Sequence, residues 1–447
     1  MQLGELFFMI ILALTIHIVV LIAMMIAIIC FESDCKKIIF WNLIVSITSI
    51  FGFLVYFICF CDKPGLKKSI KTKFDQDEIY KNLVKYTMGN TCSINETINF
   101  NKRHYSADIY KNSDIQVFDN EEAFVSNLAN DIEKAQEYII LDNEFFLMGI
   151  NNDIIISLLK EKQSMGIMVK CIYDRTKLGD SKLIKELRAS GIRVCNFNKR
   201  DIFNRYYKNS KNLISIDGLN TYLYNSFNLK SKKEKPISCS NLYYKIQGDV
   251  TKSIDLDCHL DVSFATQKYY ELEHNNYLPM GNIEMQYVSS TSDKDFEGLF
   301  LKAINDAKKQ IIIHINKFIP TPSIKQAIAM ATLSGVDVKI MLSKNNTMSY
   351  YTSRAYLKEM AMHGARAYIY DGIIASNFII IDDLTFVGNF SLVNLEIRNN
   401  LQNILILNDK DFSGKTQLYF NDLINNSYRI CKPKNVLLRE KIFKKFN

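Results

Sequence analysis

The chain has 447 residues, a hydrophobic fraction of 48% and a formal net charge of +8. This length allows two or three domains with a large apolar core, so size does not exclude an enzyme. The basic residues are not interleaved with aromatic stacking platforms, which argues against a nucleic-acid-binding protein. Ten cysteines are present without C-x-x-C pairs, so the sequence predicts neither disulfides nor a metal site, and no cofactor is expected.

Two apolar runs at the start of the chain predict two transmembrane helices. Phe7 to Cys30 and Ile38 to Cys61 carry no charged side chain and are each long enough to cross a bilayer. A lysine cluster follows the second run, and it consists of Lys63, Lys67, Lys68, Lys71 and Lys73. The positive-inside rule then predicts a two-span cell-membrane protein with both termini and the polar domains in the cytoplasm. The lysines are also expected to attract anionic headgroups at the membrane surface.

The polar part of the chain contains an internal repeat with an offset of roughly 170 residues, which is too long for a solenoid. The helical pattern of Leu128–Ala135 precedes the strand pattern of Tyr138–Leu141, and Leu301–Lys308 precedes Ile311–Ile315 in the same way. Because later helices and strands alternate in the same order in both copies, we predict a duplicated α/β sandwich with two pseudo-symmetric lobes.

The predicted boundaries follow from these patterns. Residues 1–62 form the membrane anchor, and 63–113 form a basic juxtamembrane segment and linker. The first lobe covers 114–283 and the second covers 284–431, followed by a basic tail at 432–447.

Several ordered segments of this chain resemble segments of the bacterial cardiolipin synthases of the phospholipase D superfamily, over essentially the whole length. They are Tyr243–Val250, Ile315–Pro320, Ser334–Met341 and Thr352–Tyr356. The resemblance implies two lobes that each contribute one H-x-K-x-x-x-x-D motif to a shared site. It also implies that one motif histidine attacks a phosphodiester, the other protonates the leaving alkoxide, and the lysines neutralise phosphate charge.

Both motifs are degenerate in this chain. The residues at the histidine, lysine and aspartate positions are Ser210, Asn212 and Asp217 in the first motif, and Ala375, Asn377 and Asp382 in the second. Alanine can act neither as a nucleophile nor as an acid, and asparagine carries no positive charge. The acidic residue that the family places after its second motif is replaced by Gln402. The two retained aspartates also fit ordinary turns at the ends of strands.

Two residues are candidates for a replacement nucleophile or ligand, Ser210 and His314. Ser210 needs a general base, but the opposite motif offers Ala375 in place of histidine. His314 is expected to be a hydrogen-bonded histidine of the core or cleft. Lys211 is adjacent to the first motif, but neighbouring side chains of a strand point to opposite faces, so it should point away from the site.

Three functions remain open. The first is a membrane-anchored pseudoenzyme that binds an anionic phospholipid, phosphatidylglycerol or cardiolipin, or associates with an active cardiolipin synthase to regulate it. The second is an active cardiolipin synthase, phosphatidyltransferase or phospholipase with a rebuilt site. The third is a structural membrane protein without a lipid site. Loss of the catalytic residue types from both motifs, with the fold signals retained, favours the pseudoenzyme.

Overall fold

The computed structural model of the protein describes residues 2–31, 35–59, 93–142, 152–174, 181–197, 208–225, 238–266, 279–290, 294–344 and 347–430. The chain divides into two compact units, Met1–Gln76 and Asp77–Asn447. The predicted lysine cluster at 63–73 and the basic tail at 432–447 lie outside the described residues.

The first unit contains three described helices, which are α1 (Gln2–Phe31), α2 (Cys35–Thr48) and α3 (Ile50–Cys59). The second apolar run of the sequence is broken at Ser49, whose φ of 53° is left-handed and separates α2 from α3. Among the described residues no helix combines the length and the apolar character needed to cross a membrane. The prediction of two transmembrane helices is therefore not supported, and neither is the two-span topology.

The second unit alternates helices and strands. Its first half contains α4 (Glu96–Tyr105), β1 (Ile109–Phe118), α5 (Glu121–Lys134), β2 (Tyr138–Asp142), α6 (Asn152–Ser164), β3 (Met168–Tyr173), α7 (Ser181–Ala189), β4 (Arg193–Asn196), β5 (Lys208–Asn209), β6 (Leu213–Ile216), β7 (Asn220–Leu223), β8 (Cys239–Ser240), β9 (Tyr243–Gly248) and α8 (Thr251–Thr266).

The second half repeats this order. It contains β10 (Ile283–Ser289), α9 (Glu297–Asp306), β11 (Gln310–Ile315), α10 (Pro322–Leu333), β12 (Asp337–Ser343), α11 (Met348–Met362), β13 (Arg366–Tyr370), β14 (Ile373–Ile374), β15 (Asn377–Ile381), β16 (Leu384–Asn389), α12 (Asn394–Asn399), β17 (Asn400–Leu401), β18 (Asn403–Asn408), α13 (Lys410–Ile424) and β19 (Ser427–Arg429).

Fifteen strands form one continuous sheet in the order β19-β13-β12-β11-β15-β16-β18-β10-β1-β9-β7-β6-β2-β3-β4. The order is pseudo-symmetric about the antiparallel pair of β10 and β1. Strands β9, β7, β6, β2, β3 and β4 on one side correspond to β18, β16, β15, β11, β12 and β13 on the other. The α/β class is thus confirmed, and the two copies of the repeat are halves of one shared sheet.

Alternate residues of a strand point to opposite sides of the sheet. Both faces of this sheet are covered by helices. Ile140 and Ile312 face a core that both halves share, under α8 and α13. Their neighbours Ile139 and Ile313 face the other side, where each half has its own core. The shared core holds the two halves together independently of the sheet hydrogen bonds.

Candidate functional site

Two short parallel strand pairs cross between the halves and bring the degenerate motifs together. Strand β5, before the first motif, pairs with β17, and β14, before the second motif, pairs with β8. In each strand pair, the hydrogen bonding between the halves extends to the first residue of a motif. The backbone N–H of Ser210 donates to the Leu401 carbonyl at 2.8 Å, and that of Ala375 donates to the Ser240 carbonyl at 2.9 Å.

A cleft of about 180 Å³ lies where the motifs meet. It is lined by Ser210, Asn212, Asn225, Ile315, Asn316, Lys317, Asn377, Asn389, Phe390, Ser391, Glu396, Asn400 and Gln402. Seven of these thirteen residues are carboxamides, and the described lining contains no histidine. The structure therefore brings Ser210, Asn212 and Asn377 into one cleft, whereas Ala375 does not line it.

The two asparagines at the lysine positions have different surroundings. Both ends of the Asn377 amide are used internally, because Nδ2 donates to the Phe390 carbonyl at 2.7 Å and Oδ1 accepts from the Asn316 N–H at 3.1 Å. Asn212 is only 5% exposed, yet its Oδ1 has no hydrogen-bond partner within the described part of the chain. A buried amide oxygen without a partner is costly, so Asn212, which lines the cleft, retains an unused acceptor.

Two further carboxamides support the cleft wall. Asn389 Nδ2 donates to the Tyr224 carbonyl at 2.9 Å and so connects the segments that follow the two motifs. Gln402 is buried, its Oε1 accepts from the Ser391 N–H at 3.1 Å, and its Nε2 donates to the Glu396 carbonyl at 2.8 Å. Gln402 thus holds backbone in place where the family pattern has an acid.

The charges of the cleft cancel. Lys317 Nζ lies 3.0 Å from Glu396 Oε1, and these are the two charged side chains among the described lining residues. The side chains are 41% and 32% exposed, so this ion pair contributes little to stability. Its consequence is electrostatic, because the described lining offers a phosphate no unpaired cation.

The two retained aspartates bind backbone rather than the cleft. Asp217 accepts hydrogen bonds of 2.8, 2.9 and 2.8 Å from the N–H groups of residues 136–138. Asp382 accepts equivalent bonds of 2.8, 2.8 and 2.9 Å from residues 308–310. Both aspartates have a φ of 52°, which places them in left-handed turns. These contacts support the turn interpretation, with each carboxylate fixing the start of a buried strand.

His314 lies in the shared core and does not line the cleft. It is 0% exposed and stacks on Phe378 with ring centroids 4.4 Å apart. Its Nδ1 lies 3.1 Å from the Ser376 carbonyl and must donate, so Nε2, at 3.2 Å, accepts from the Ser240 hydroxyl. Burial lowers the pKa of His314 to about 3, although the Ser376 hydrogen bond opposes that shift. These contacts support the interpretation of His314 as a hydrogen-bonded histidine of the core or cleft.

Lys211 points away from the cleft, as predicted, and is buried against α8. Its Nζ lies 2.8 Å from Asp257 Oδ1 and 2.7 Å from Asp261 Oδ2. Burial alone would lower the pKa of Lys211, but the carboxylates of Asp257, Asp261 and Asp142 together raise it above its usual value. Lys211 is therefore a fully charged structural residue and not a substitute for the missing lysines.

Part of the cleft is formed by residues that the motifs do not indicate. Glu396 and Asn400 line it from α12 and β17, and their proximity to Ser210 depends on the pairing of β17 with β5. The one sequence signal that could have identified them is the polar segment Asn394–Gln402, which follows the strand after the second motif.

The chain is similar in sequence to known proteins. Residues 300–424 match the family described as "Cardiolipin synthase, PLD-like domain". This match supports membership of the PLD-like superfamily. Among curated relatives, a cardiolipin synthase of Clostridium perfringens strain 13 is 27% identical over 418 residues, covering 86% of this chain and 87% of the relative. The major cardiolipin synthase ClsA of Bacillus subtilis strain 168 is 30% identical over 294 residues, covering 61% and 60%.

Solved structures share the PLD-like α/β fold. Phosphatidylserine synthase of Haemophilus influenzae Rd KW20 aligns with a TM-score of 0.58 at 12% identity, covering 79% of this chain and 97% of that one. Polyphosphate kinase of Porphyromonas gingivalis aligns with a TM-score of 0.51 at 9% identity, covering 75% and 52%. At these identities the similarity establishes the fold alone.

Proposed function

We propose that this protein is a cardiolipin synthase-like, PLD-like protein that binds a lipid headgroup in the cleft between its motifs without transferring it. One observation carries the proposal. The cleft occupies the place where both motifs meet, and its described lining consists mainly of carboxamides, with Asn212 Oδ1 buried and unpaired. Such a lining can recognise a polar group, but it has none of the histidines that covalent phosphoryl transfer needs.

A rebuilt active site has little support from the contacts. Ser210 lines the cleft at a motif position, but a serine nucleophile needs a base within hydrogen-bond reach. His314 makes core hydrogen bonds on both ring nitrogens, and the Glu396 carboxylate is paired with Lys317. The chemistry that the cleft supports best is therefore binding.

The biological role follows from binding without turnover. We propose that the protein acts at the cell membrane, where it meets its lipid, and that it regulates or positions an active cardiolipin synthase. The curated relatives named as cardiolipin synthases support a role in phospholipid metabolism. Capture of an active cardiolipin synthase by the purified full chain, followed by assay of that enzyme alone and in complex, tests the regulatory part.

The decisive test of inactivity is cardiolipin formation by the full-length, detergent-solubilised protein supplied with phosphatidylglycerol. An active cardiolipin synthase purified in the same way is the positive control. We expect no product above that of a blank preparation. Product that co-purifies with the protein and disappears in Ser210→Ala would contradict the proposal and identify Ser210 as the nucleophile.

A further inference from the structure

We infer that the cleft selects a neutral polyhydroxyl group, such as the sugar of a glycolipid headgroup, over a phosphate. This inference rests on the proposed function, in which the cleft holds a headgroup, and it specifies the chemical class of that headgroup. The inferred headgroup differs from the anionic lipids that the resemblance to cardiolipin synthases favours.

The groups left free in the cleft have mixed donor and acceptor character. Asn212, Asn225, Asn316 and Asn400 line it, and within the described part of the chain none of their side chains forms a hydrogen bond. A carboxamide offers two donors and one acceptor oxygen, and a hydroxyl group both donates and accepts. Several adjacent hydroxyls can therefore satisfy several carboxamides at once, and the unpaired Asn212 Oδ1 specifically requires a donor.

A phosphate fits this lining poorly. Phosphate oxygens at neutral pH are mainly acceptors, so they leave the buried Asn212 acceptor without a partner. The cation that could attract phosphate, Lys317, is already paired at 3.0 Å with Glu396, whose carboxylate would repel an anion in the same cleft. The lining thus disfavours phosphate, the group whose charge the motif lysines of the family would neutralise.

Size and asymmetry further define the ligand. The volume of about 180 Å³ is below the roughly 300–1,000 Å³ of sites for drug-sized ligands, so one small polar unit fits. Asn377 is held at both amide ends, whereas its counterpart Asn212 is free. Recognition should therefore depend on Asn212, and substitution of Asn377 should mainly disturb the wall.

The experiment measures binding of the full chain to test lipids in phosphatidylcholine nanodiscs. Each nanodisc preparation contains one test lipid. The test lipids are glucosyl-diacylglycerol, plain diacylglycerol, phosphatidylglycerol and cardiolipin. We expect the glucosyl lipid to bind best, and Asn212→Leu, which keeps the side-chain shape, to weaken its binding at least tenfold. Asn130→Leu on the exposed face of α5 is the matched control and should change nothing.

Two further measurements keep the test independent of whether Asn212→Leu folds. With the unchanged protein, glucose should compete with the glucosyl lipid, whereas glycerol 1-phosphate and inorganic phosphate should not. Asn212→Lys restores the family residue at that position and should reverse the preference toward phosphatidylglycerol.

The outcomes separate this inference from the proposed function. Binding of phosphatidylglycerol or cardiolipin in preference to the glucosyl lipid, with the same dependence on Asn212, overturns the inference and leaves the proposed function standing. Asn212-dependent binding of free glucose without binding of any lipid supports the selectivity and overturns the lipid-binding function. Absence of all Asn212-dependent binding overturns both.

Discussion

At the level of single residues, Asp217 and Asp382 each receive three backbone hydrogen bonds and adopt a φ of 52°. Their retention has a structural cause that persists whether or not the cleft is catalytic. An intact aspartate in this motif is consequently weak evidence for activity.

Removal of either carboxylate should destabilise the protein. Because hydrogen bonds to a charged group contribute roughly 1.5–3 kcal/mol, we expect Asp217→Ala and Asp382→Ala each to lower the free energy of unfolding by about 2 kcal/mol. Urea denaturation measures the change. Asp383 is exposed, and its side chain forms no hydrogen bond in the described part, so Asp383→Ala is the control. A loss below about 0.5 kcal/mol for both test variants, the range of ordinary surface changes, would refute this role.

His314 predicts an acid-side loss of stability. Its pKa falls from 6.5 to about 3 on burial, so between these values the unfolded chain binds a proton that the folded protein does not. Stability should therefore fall as the pH drops below 6.5, by about 1.4 kcal/mol per pH unit for this group. Denaturation of His314→Asn between pH 4.5 and 7 should show a shallower slope. Some slope should remain, because burial also lowers the pKa of His259. An unchanged slope would show that His314 is protonated in the fold.

The sequence could predict these residues but not the whole cleft. The resemblance to the family identified Ser210, Asn212 and Asn377, and strand periodicity placed Lys211 on the opposite face. The roles of Asn389 and Asn400 depend on contacts between the halves, which link positions more than 150 residues apart, such as Tyr224 and Asn389 at a separation of 165. Periodicity is a local property, so it carries no information about such pairings.

At the level of elements, β6 and α8 are linked by buried charge. Lys211, just before β6, is paired with Asp257 and Asp261 of α8, and the Tyr287 hydroxyl donates to Asp257 at 2.7 Å. The same helix brings Ile254 and Val262 into the shared core. The position of the first motif therefore depends on α8, which packs on the side of the sheet to which Lys211 points, away from the cleft.

Breaking this charge cluster should be costly. Lys211→Met leaves two buried carboxylates without their partner, and we expect a loss of about 3–5 kcal/mol in the free energy of unfolding. Adding Asp257→Asn and Asp261→Asn should recover most of it, because the asparagines remove the charge but keep acceptors. Lys208→Met, at an exposed neighbouring site, is the control for urea denaturation. Equal stability of the single and triple variants would show that charge is not the cause.

Helices and strands were predicted correctly where the sequence pattern was strong. The prediction was wrong where the backbone of a single residue ends a helix. The helices before β2 and β11 and the strands themselves follow the predicted repeat. The second apolar run was predicted as one helix, but the left-handed backbone at Ser49 divides it into segments of 14 and 10 residues. Hydropathy averages over a window and does not detect such a break.

At the level of the whole molecule, the repeat produces one sheet instead of two independent domains. Strands β1 and β10 pair directly, and the core under α8 and α13 contains residues of both halves, such as Ile140 and Ile312. The region that matches the family, 300–424, begins inside α9 and omits β10, so it lacks a strand at the junction. We infer that the two halves are stable only together.

Hydrogen exchange with the full chain tests this cooperativity. If the halves unfold as one unit, Asp217→Ala in the first half should reduce protection of β11 and β12 in the second half as much as that of β2 and β3. Asp382→Ala should give the same pattern in reverse, and Asp383→Ala should leave both halves unchanged. Because the slowest-exchanging amides report global unfolding, equal losses of about 2 kcal/mol are expected throughout the sheet. Loss confined to the substituted half would mean that each copy folds by itself, and the cleft would then lie between two independently stable domains.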